Sequence, residues 1–422
     1  MSSTVTTDPT PQELIDRAIA LRPKLVERQA AVEERTYYDE EMHAEFQQAG
    51  FYRMFMPRRY GGFEVSVPTF MRVIVEIARG CPSTGWCLAL ASNHALMVGS
   101  WFAEEAQDEV FDGGRFICAS VAAPISEPAL RVEGGWELNG KVSFCSGIPY
   151  STYYLGQALT LGDEGAPGPM MLFVAPRGTW EMLDDWGQIL GFKGSGSQSI
   201  VFDHGRIPDH CVLENVSMVD VDVGSGTPGV RLHGNPMYGG RALGVFTMCL
   251  AAVMVGAAYN ALDEYEAQME TRATPIPPFV PRTQDADFQR YFGAAWAKTA
   301  TAEAALHDCA EQHMELCRRQ AEEGIPYTYR DDMLLGCIAR EVMIQTWETV
   351  QSDLVRTIGA SLIKTGERIE RIFRDMAIGN AHRNTSLRDW AFRELTLAHL
   401  GMPGQLASLF RRPNAPSQEA RS

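Results

Sequence analysis

Apolar residues recur at spacings of three and four along LIDRAIALRPKLVERQAAVEE, and this pattern predicts helix from Pro11 to about Val110. A turn cluster, Pro57-Arg-Arg-Tyr-Gly-Gly62, interrupts it. The periodicity resumes through FMRVIVEIARG, and Pro82-Ser-Thr84 offers a helix start for GWCLALASNHALMVGSWF. From Phe116 to about Asn215 the rhythm changes. RFICASV, WELNGKVSFC, YYLGQAL, MMLFVAP and SIVFDHGRI are short β-rich runs separated by Gly, Pro and Asp, which predicts an antiparallel sheet domain. Residues 216–240 read as a Gly-rich connector. Long helical periodicity then returns over Ala242–Thr271, Asp285–Glu323 and Asp331–Ile358, with the Pro-rich link Pro275–Pro281 after the first.

The chain therefore divides into a helical domain (11–115), a β-domain (116–215), a helical bundle (216–400) and a polar tail (401–422) broken by Pro403, Pro413 and Pro416. Strands segregated from helices argue an α+β fold. Neither a strand-GxGxxG-helix nor a GxxxxGK[ST] phosphate loop is present, so no nicotinamide-type or P-loop site is expected.

Composition narrows the partners. The formal charge of −16 gives no general attraction for nucleic acid or an anionic membrane. Nine scattered cysteines form no CxxC pair, which argues against a disulfide scaffold and against a structural metal. The N-terminus has no secretory pattern. Ala242–Leu262 carries no charge over 21 residues, long enough to span a bilayer. It is rich in Ala and Gly, contains Thr247 and Asn260 and lacks an aromatic belt, so it reads as a buried bundle helix and the chain as cytoplasmic.

Four segments, Gly50–Gly62 (GFYRMFMPRRYGG), Gly135–Gly147 (GWELNGKVSFCSG), Gly191–Asp203 (GFKGSGSQSIVFD) and Glu370–Asp375 (ERIFRD), together resemble the acyl-CoA dehydrogenase fold in order and separation. The resemblance covers residues 11–400. It implies an N-terminal helical domain, a middle β-domain, a C-terminal four-helix bundle, a flavin and a homotetramer. Dehydrogenases of this superfamily need a glutamate base, one placement of which follows the Arg-Asp pair as Tyr-Glu. His382 and Arg383 stand there instead, as in the flavin-dependent monooxygenases built on this fold.

That resemblance implies the oxygenase component of a two-component system. It hydroxylates an aromatic, phenolic substrate through a flavin C4a-hydroperoxide, using O2 and FMNH2 or FADH2 from a separate flavin reductase. An N- or S-oxygenase on the same scaffold, an FAD-dependent acyl-CoA dehydrogenase and a flavin-free oligomeric scaffold are the competing readings. Ser146 suits a hydrogen bond to flavin N5. His382 suits either donation to the peroxide or removal of the phenol proton. His94, inside an apolar helix pattern, suits the phenol or the peroxide, or else a core bond to backbone. Cys118 and Ser120 lie where the family lays a strand along the flavin pyrimidine. Ser143 and Cys145 flank Ser146; on a regular strand Ser143 would face away from it, unless the chain bends. Lys193 and Ser195 would approach the ribityl and phosphate region. Arg272 and Gly359 resemble positions that meet a neighbouring subunit's flavin. Trp86, Trp186 and Tyr238 are aromatic residues near the expected pocket.

Overall fold

The computed structural model describes residues 8–162 and 165–404. Most of the polar tail, and the first seven residues, therefore lie outside the described residues. Thr10 starts the first helix, Pro11–Arg35, with a reciprocal capping box to Glu13. The N-terminal region continues through helices Glu40–Ala49, Val67–Gly80, Pro82–Ser92, His94–Trp101 and Glu104–Val110. Sequence periodicity read 82–102 as one helix, but the chain breaks at Asn93, whose amide turns to the Cys249 sulfur at 3.3 Å. His94 thereby becomes the first residue of a new helix.

Eight strands follow: β1 (Cys118–Pro124), β2 (Leu130–Val132), β3 (Gly135–Val142), β4 (Tyr153–Leu161), β5 (Pro167–Pro176), β6 (Glu181–Met182), β7 (Ile200–Pro208) and β8 (Val212–Glu214). They form two four-stranded sheets, β1-β4-β5-β8 and β2-β3-β7-β6, which share a core of alternating residues that includes Trp136, Leu138, Tyr154, Phe173 and Phe202. The expected antiparallel pairing needs one correction. β1 runs parallel to β4, in register Cys118 with Tyr153 and Ala119 with Tyr154, because the long segment between them carries β2 and β3 into the other sheet. The connector 216–240 is also more ordered than its glycines implied. Thr227 caps a short helix, Pro228–His233, with proline at its first position and left-handed Gly234 after its end.

The C-terminal region is built on helices Leu243–Thr271, Ala286–Glu323, Tyr329–Thr349, Arg368–Ala381 and Arg388–His399. Leu243–Thr271 is long and apolar enough to cross a membrane, yet 89% of its most apolar window is buried inside the fold. Helices from both helical regions enclose it: Val67–Gly80, Pro82–Ser92, Ala286–Glu323, Tyr329–Thr349 and Arg368–Ala381. Gly256 permits the closest approach, since a Cβ there would sit 2.4 Å from the Val75 carbonyl. This one chain thus covers the apolar helix, so its length does not itself call for other subunits. Arg79 adds a bidentate ion pair to Asp263 (2.6 and 2.7 Å) across the same packing.

Candidate active site

The Arg-Asp motif is where the three regions meet. Arg374 and Arg371 both reach Glu33 of the first helix, and Arg374 also holds Glu370 and the Leu190 carbonyl. The Asp375 carboxylate is 2% exposed and accepts the Phe192 N–H at 2.5 Å and the Ser83 hydroxyl at 3.1 Å. Its pKa is pushed up to about 7 because burial penalises the charge more than these bonds favour it. Gly191 lets the loop lie against this helix, since a Cβ there would meet the Arg374 carbonyl at 2.0 Å. Two segments that looked separate in the sequence, Gly191–Asp203 and Glu370–Asp375, therefore lock together.

Beside this lock runs a chain of hydroxyls. The Trp86 indole N–H donates to Ser146 Oγ at 3.0 Å; Ser146 bonds Ser197 at 2.7 Å, and Ser197 bonds Ser195 at 2.6 Å. All three serines are buried. Ser143 is not part of the chain; it accepts from Ser199 Oγ at 2.9 Å. Strict strand alternation does not apply here, because β3 ends at Val142 and Phe144 takes a left-handed φ of 66°. Cys145 packs in the sheet core, and burial raises its thiol pKa far out of the working range. Ser197, which bridges the other two, was not singled out from sequence. Its spacing in Ser195-Gly-Ser197 was the available signal.

His382 ends helix Arg368–Ala381 and caps the next short helix, Arg383–Ser386. Its Nδ1 accepts the Asn384 backbone N–H at 3.2 Å, so the neutral ring carries its hydrogen on Nε2. The residue keeps part of its surface open, but the ring is enclosed. That burial, reinforced by Arg383 and Arg340, holds its pKa down at about 4. The ring meets the Trp86 ring edge-on at 5.3 Å, and Trp86 lies on Phe192 at 4.5 Å. Trp86 thereby joins His382, the hydroxyl chain and the locked loop.

His94 has the opposite arrangement. Its Nδ1–H donates to the Cys118 carbonyl at 2.6 Å, which leaves the lone pair on Nε2. It is 1% exposed, and burial holds its pKa down at about 4. His94 packs near Phe246 (5.5 Å), while the Asn384 amide beside His382 reaches Thr247 at 3.4 Å. Both histidines are thus tied to adjacent positions near the start of helix Leu243–Thr271.

The remaining candidates are placed differently. Cys118 and Ser120 lie on β1, an edge strand paired among the described strands with β4 alone; Ser120 Oγ points to the Met218 sulfur at 3.7 Å. Lys193 is drawn to Glu33 at 3.5 Å. Arg272 is exposed at the end of its helix and bonds Gln268 at 2.9 Å. Gly359 ends helix Arg356–Ile358 with φ 101°. Tyr238 is a core residue whose hydroxyl bonds the Phe55 carbonyl, and Trp186 bonds the Phe192 carbonyl. One group among the described residues, Glu109, His210 and Cys211, offers three metal-ligating atoms within 4.8 Å, but His210 already pairs with Glu109 at 2.7 Å.

The family descriptions "Acyl-CoA dehydrogenase, N-terminal domain" and "Acyl-CoA dehydrogenase, C-terminal domain" match residues 12–111 and 248–387, together more than half of the chain. This chain belongs to the acyl-CoA dehydrogenase family. Within the family it is similar to a pigment production hydroxylase of a Rhodococcus species, 28% identical over 89% of this chain and 93% of the relative. It is also similar to the flavin-dependent monooxygenase oxygenase subunit HsaA of Rhodococcus jostii, 25% identical over 87% of this chain and 93% of that one. The fold matches XiaF from a Streptomyces species, solved with FADH2 and glycerol, at a TM-score of 0.83 and 20% identity, covering 93% and 96% of the two chains. Of the two sequence relatives one is named a hydroxylase and the other a flavin-dependent monooxygenase, and the α+β family architecture expected from the four segments is the one observed.

Proposed function

We propose that this protein is the oxygenase component of a two-component flavin monooxygenase that hydroxylates a phenolic substrate. The observation that carries the reading is His382, an enclosed neutral imidazole next to Arg383, which stands where a dehydrogenase of the family can carry its glutamate. The nearby buried carboxylates are committed elsewhere. Asp375 holds the Phe192 N–H, and Asp332 accepts the Leu243 and Gly244 N–H groups at 3.2 and 2.7 Å. Neither is free to remove a proton from a substrate carbon.

The residues fit a flavin. β1 has one unpaired edge, and a strand edge offers the alternating N–H and C=O groups that a pyrimidine edge requires. The buried Ser146–Ser197–Ser195 chain can turn a hydroxyl toward a ring nitrogen. Cys118, Ser120, Ser146 and Ser195 would hold the group, with Lys193 at its margin and Arg272 and Gly359 serving a neighbouring subunit of a homotetramer; Cys145, packed in the sheet core, and Ser143, bonded to Ser199, are not placed to contact it. Bound reduced flavin, FMNH2 or FADH2, supplies the activation of O2. The chain's own residues do the rest: His94 Nε2 accepts the phenol O–H, His382 Nε2–H donates to the reacting oxygen, and Trp86 and Phe192 exclude water. A separate reductase supplies the flavin in the reducing cytoplasm, consistent with nine free, buried cysteines.

The test mixes protein, chemically reduced flavin, O2 and a panel of simple phenols, measuring hydroxylated product against H2O2. Product near one per flavin oxidised for some phenol, falling on Ser146→Ala with more H2O2, is the expected result. Oxidation of an acyl-CoA by the oxidised-flavin form, with no phenol hydroxylated, would replace this reading by the dehydrogenase one.

A further inference from the structure

Arg340 lies on helix Tyr329–Thr349 and is 2% exposed. Its Nε–H donates to the Asn384 carbonyl at 2.9 Å, while Nη1 has no hydrogen-bond partner. A buried guanidinium that is only partly paired costs stability, which turns attention to what its one bond holds in place. The guanidinium keeps its charge despite burial. Asn384 is the residue whose backbone N–H caps His382 Nδ1. Its side chain reaches Thr247, and Thr385 Oγ closes the turn on the Asn380 carbonyl at 2.6 Å. The turn that presents His382 is thus pinned from a helix 44 residues earlier in the chain.

We infer that Arg340 is a positioning residue: through the Asn384 carbonyl it anchors the His382–Ser386 turn, and so holds the His382 ring with Nδ1 on the Asn384 N–H and its hydrogen on Nε2. Two physical effects act together. Protonating His382 would place a hydrogen on Nδ1, opposite the Asn384 N–H, and break the cap. It would also place a second cation near Arg340. The charged groups acting on His382 are Arg383 on its own turn and Arg340 from the neighbouring helix; Asn384 on the turn, and Trp86 and Thr247 facing it from other elements, are neutral. Gly336 makes room for the arrangement, since a Cβ there would lie 2.9 Å from Arg340 Nη1.

The inference rests on reading His382 as the donor, but its readout needs no turnover. Histidine-selective 15N NMR of the full-length protein, with His382 assigned by its own substitution, reports tautomer and titration directly. Wild type should show the Nε2–H form down to about pH 5. Arg340→Met should mix the tautomers and move the titration up from about 4 by only part of the gap to the ordinary histidine value, because burial, the larger cause, and Arg383 still hold it down. Arg340→Lys should restore most of the wild-type behaviour, and Arg340→Gln should keep the turn while losing the charge effect. A folded Arg340→Met protein with an unchanged His382 signal would overturn the inference. If Arg340→Met does not fold, Gly336→Ala, which crowds the guanidinium, gives the same readout: a shifted His382 signal supports the role and an unchanged one removes it. If the NMR result holds while His382→Ala hydroxylates normally, the donor reading fails and the positioning result stands.

Discussion

His94 and His382 share a residue type and a pKa held at about 4, yet they present opposite chemistry. His94 spends its Nδ1–H on a strand carbonyl, so Nε2 is an acceptor. His382 spends its Nδ1 lone pair on a backbone N–H, so Nε2 is a donor. The difference comes from local backbone: His94 opens a helix beside the carbonyl of Cys118, whereas His382 caps a helix and meets its free N–H groups. In the proposed function such a pair would divide the labour of hydroxylation, one ring taking the phenol hydrogen bond and the other steadying the reacting oxygen.

The sharpest way to break the comparison is His382→Ala. Loss of a buried donor aimed at developing charge typically lowers the rate by about 10²–10³-fold. The hydroxylation rate should fall by that order, H2O2 should rise, and higher pH should give little rescue. His94→Gln keeps a donor for the Cys118 carbonyl but replaces the basic ring nitrogen with an amide that cannot take up a proton. Hydroxylation should slow by about 10²-fold at neutral pH, the low end for a proton acceptor, and recover as the phenol ionises unaided. Single-turnover product yields against pH separate the two residues; identical profiles would abolish the division.

Acid stability gives a smaller effect. Each histidine's folded pKa lies below the ordinary unfolded value of about 6.5, so the unfolded chain takes up protons first as pH falls. The stability they contribute should therefore be lost between about pH 6.5 and 4, and Tm should fall over that window. Buried His313, held at about 4 by burial, adds to the same slope. Asp375 works in the opposite direction. Its folded pKa is raised to about 7, so its contribution is present below about pH 4 and lost as pH rises through 7. The smallest expected change follows from this. Asp375→Asn keeps an acceptor for Phe192 N–H and can donate to Ser83, so Tm at pH 8 should change little or rise, while the acid slope should steepen. A loss of several degrees at pH 8 would show that the carboxylate charge itself holds the lock.

The Arg-Asp motif and His382 also differ in how far sequence reached. Glu370–Asp375 was visible as a motif, but its partners Glu33, Ser83 and Phe192 are between 183 and 341 residues away. Its role as a three-way lock was therefore not legible. His382 was visible because His382-Arg383 stands in place of Tyr-Glu, but donor and base remained equal alternatives until its Nδ1 partner was seen. Ser143 was expected to face away from Ser146 on a regular strand or to join it through a bend; left-handed Phe144 supplies the bend, yet Ser143 bonds Ser199 instead. Arg340 gave no signal at all, because one arginine on an amphipathic helix reads as a surface charge.

Periodicity and segment order alone determined the helical, β and helical succession and the family architecture, because helix and strand each impose a local repeat on where apolar side chains fall. They also determined that Leu243–Thr271 carries no charge through its first five turns. Only the tertiary structure decided that this helix is enclosed by its own chain, and that β1 runs parallel to β4. It also decided that two histidines 288 residues apart carry their hydrogens on opposite nitrogens. Tautomer, burial and pKa are set by partners that come from other segments, and no local pattern in the chain encodes which segments those are.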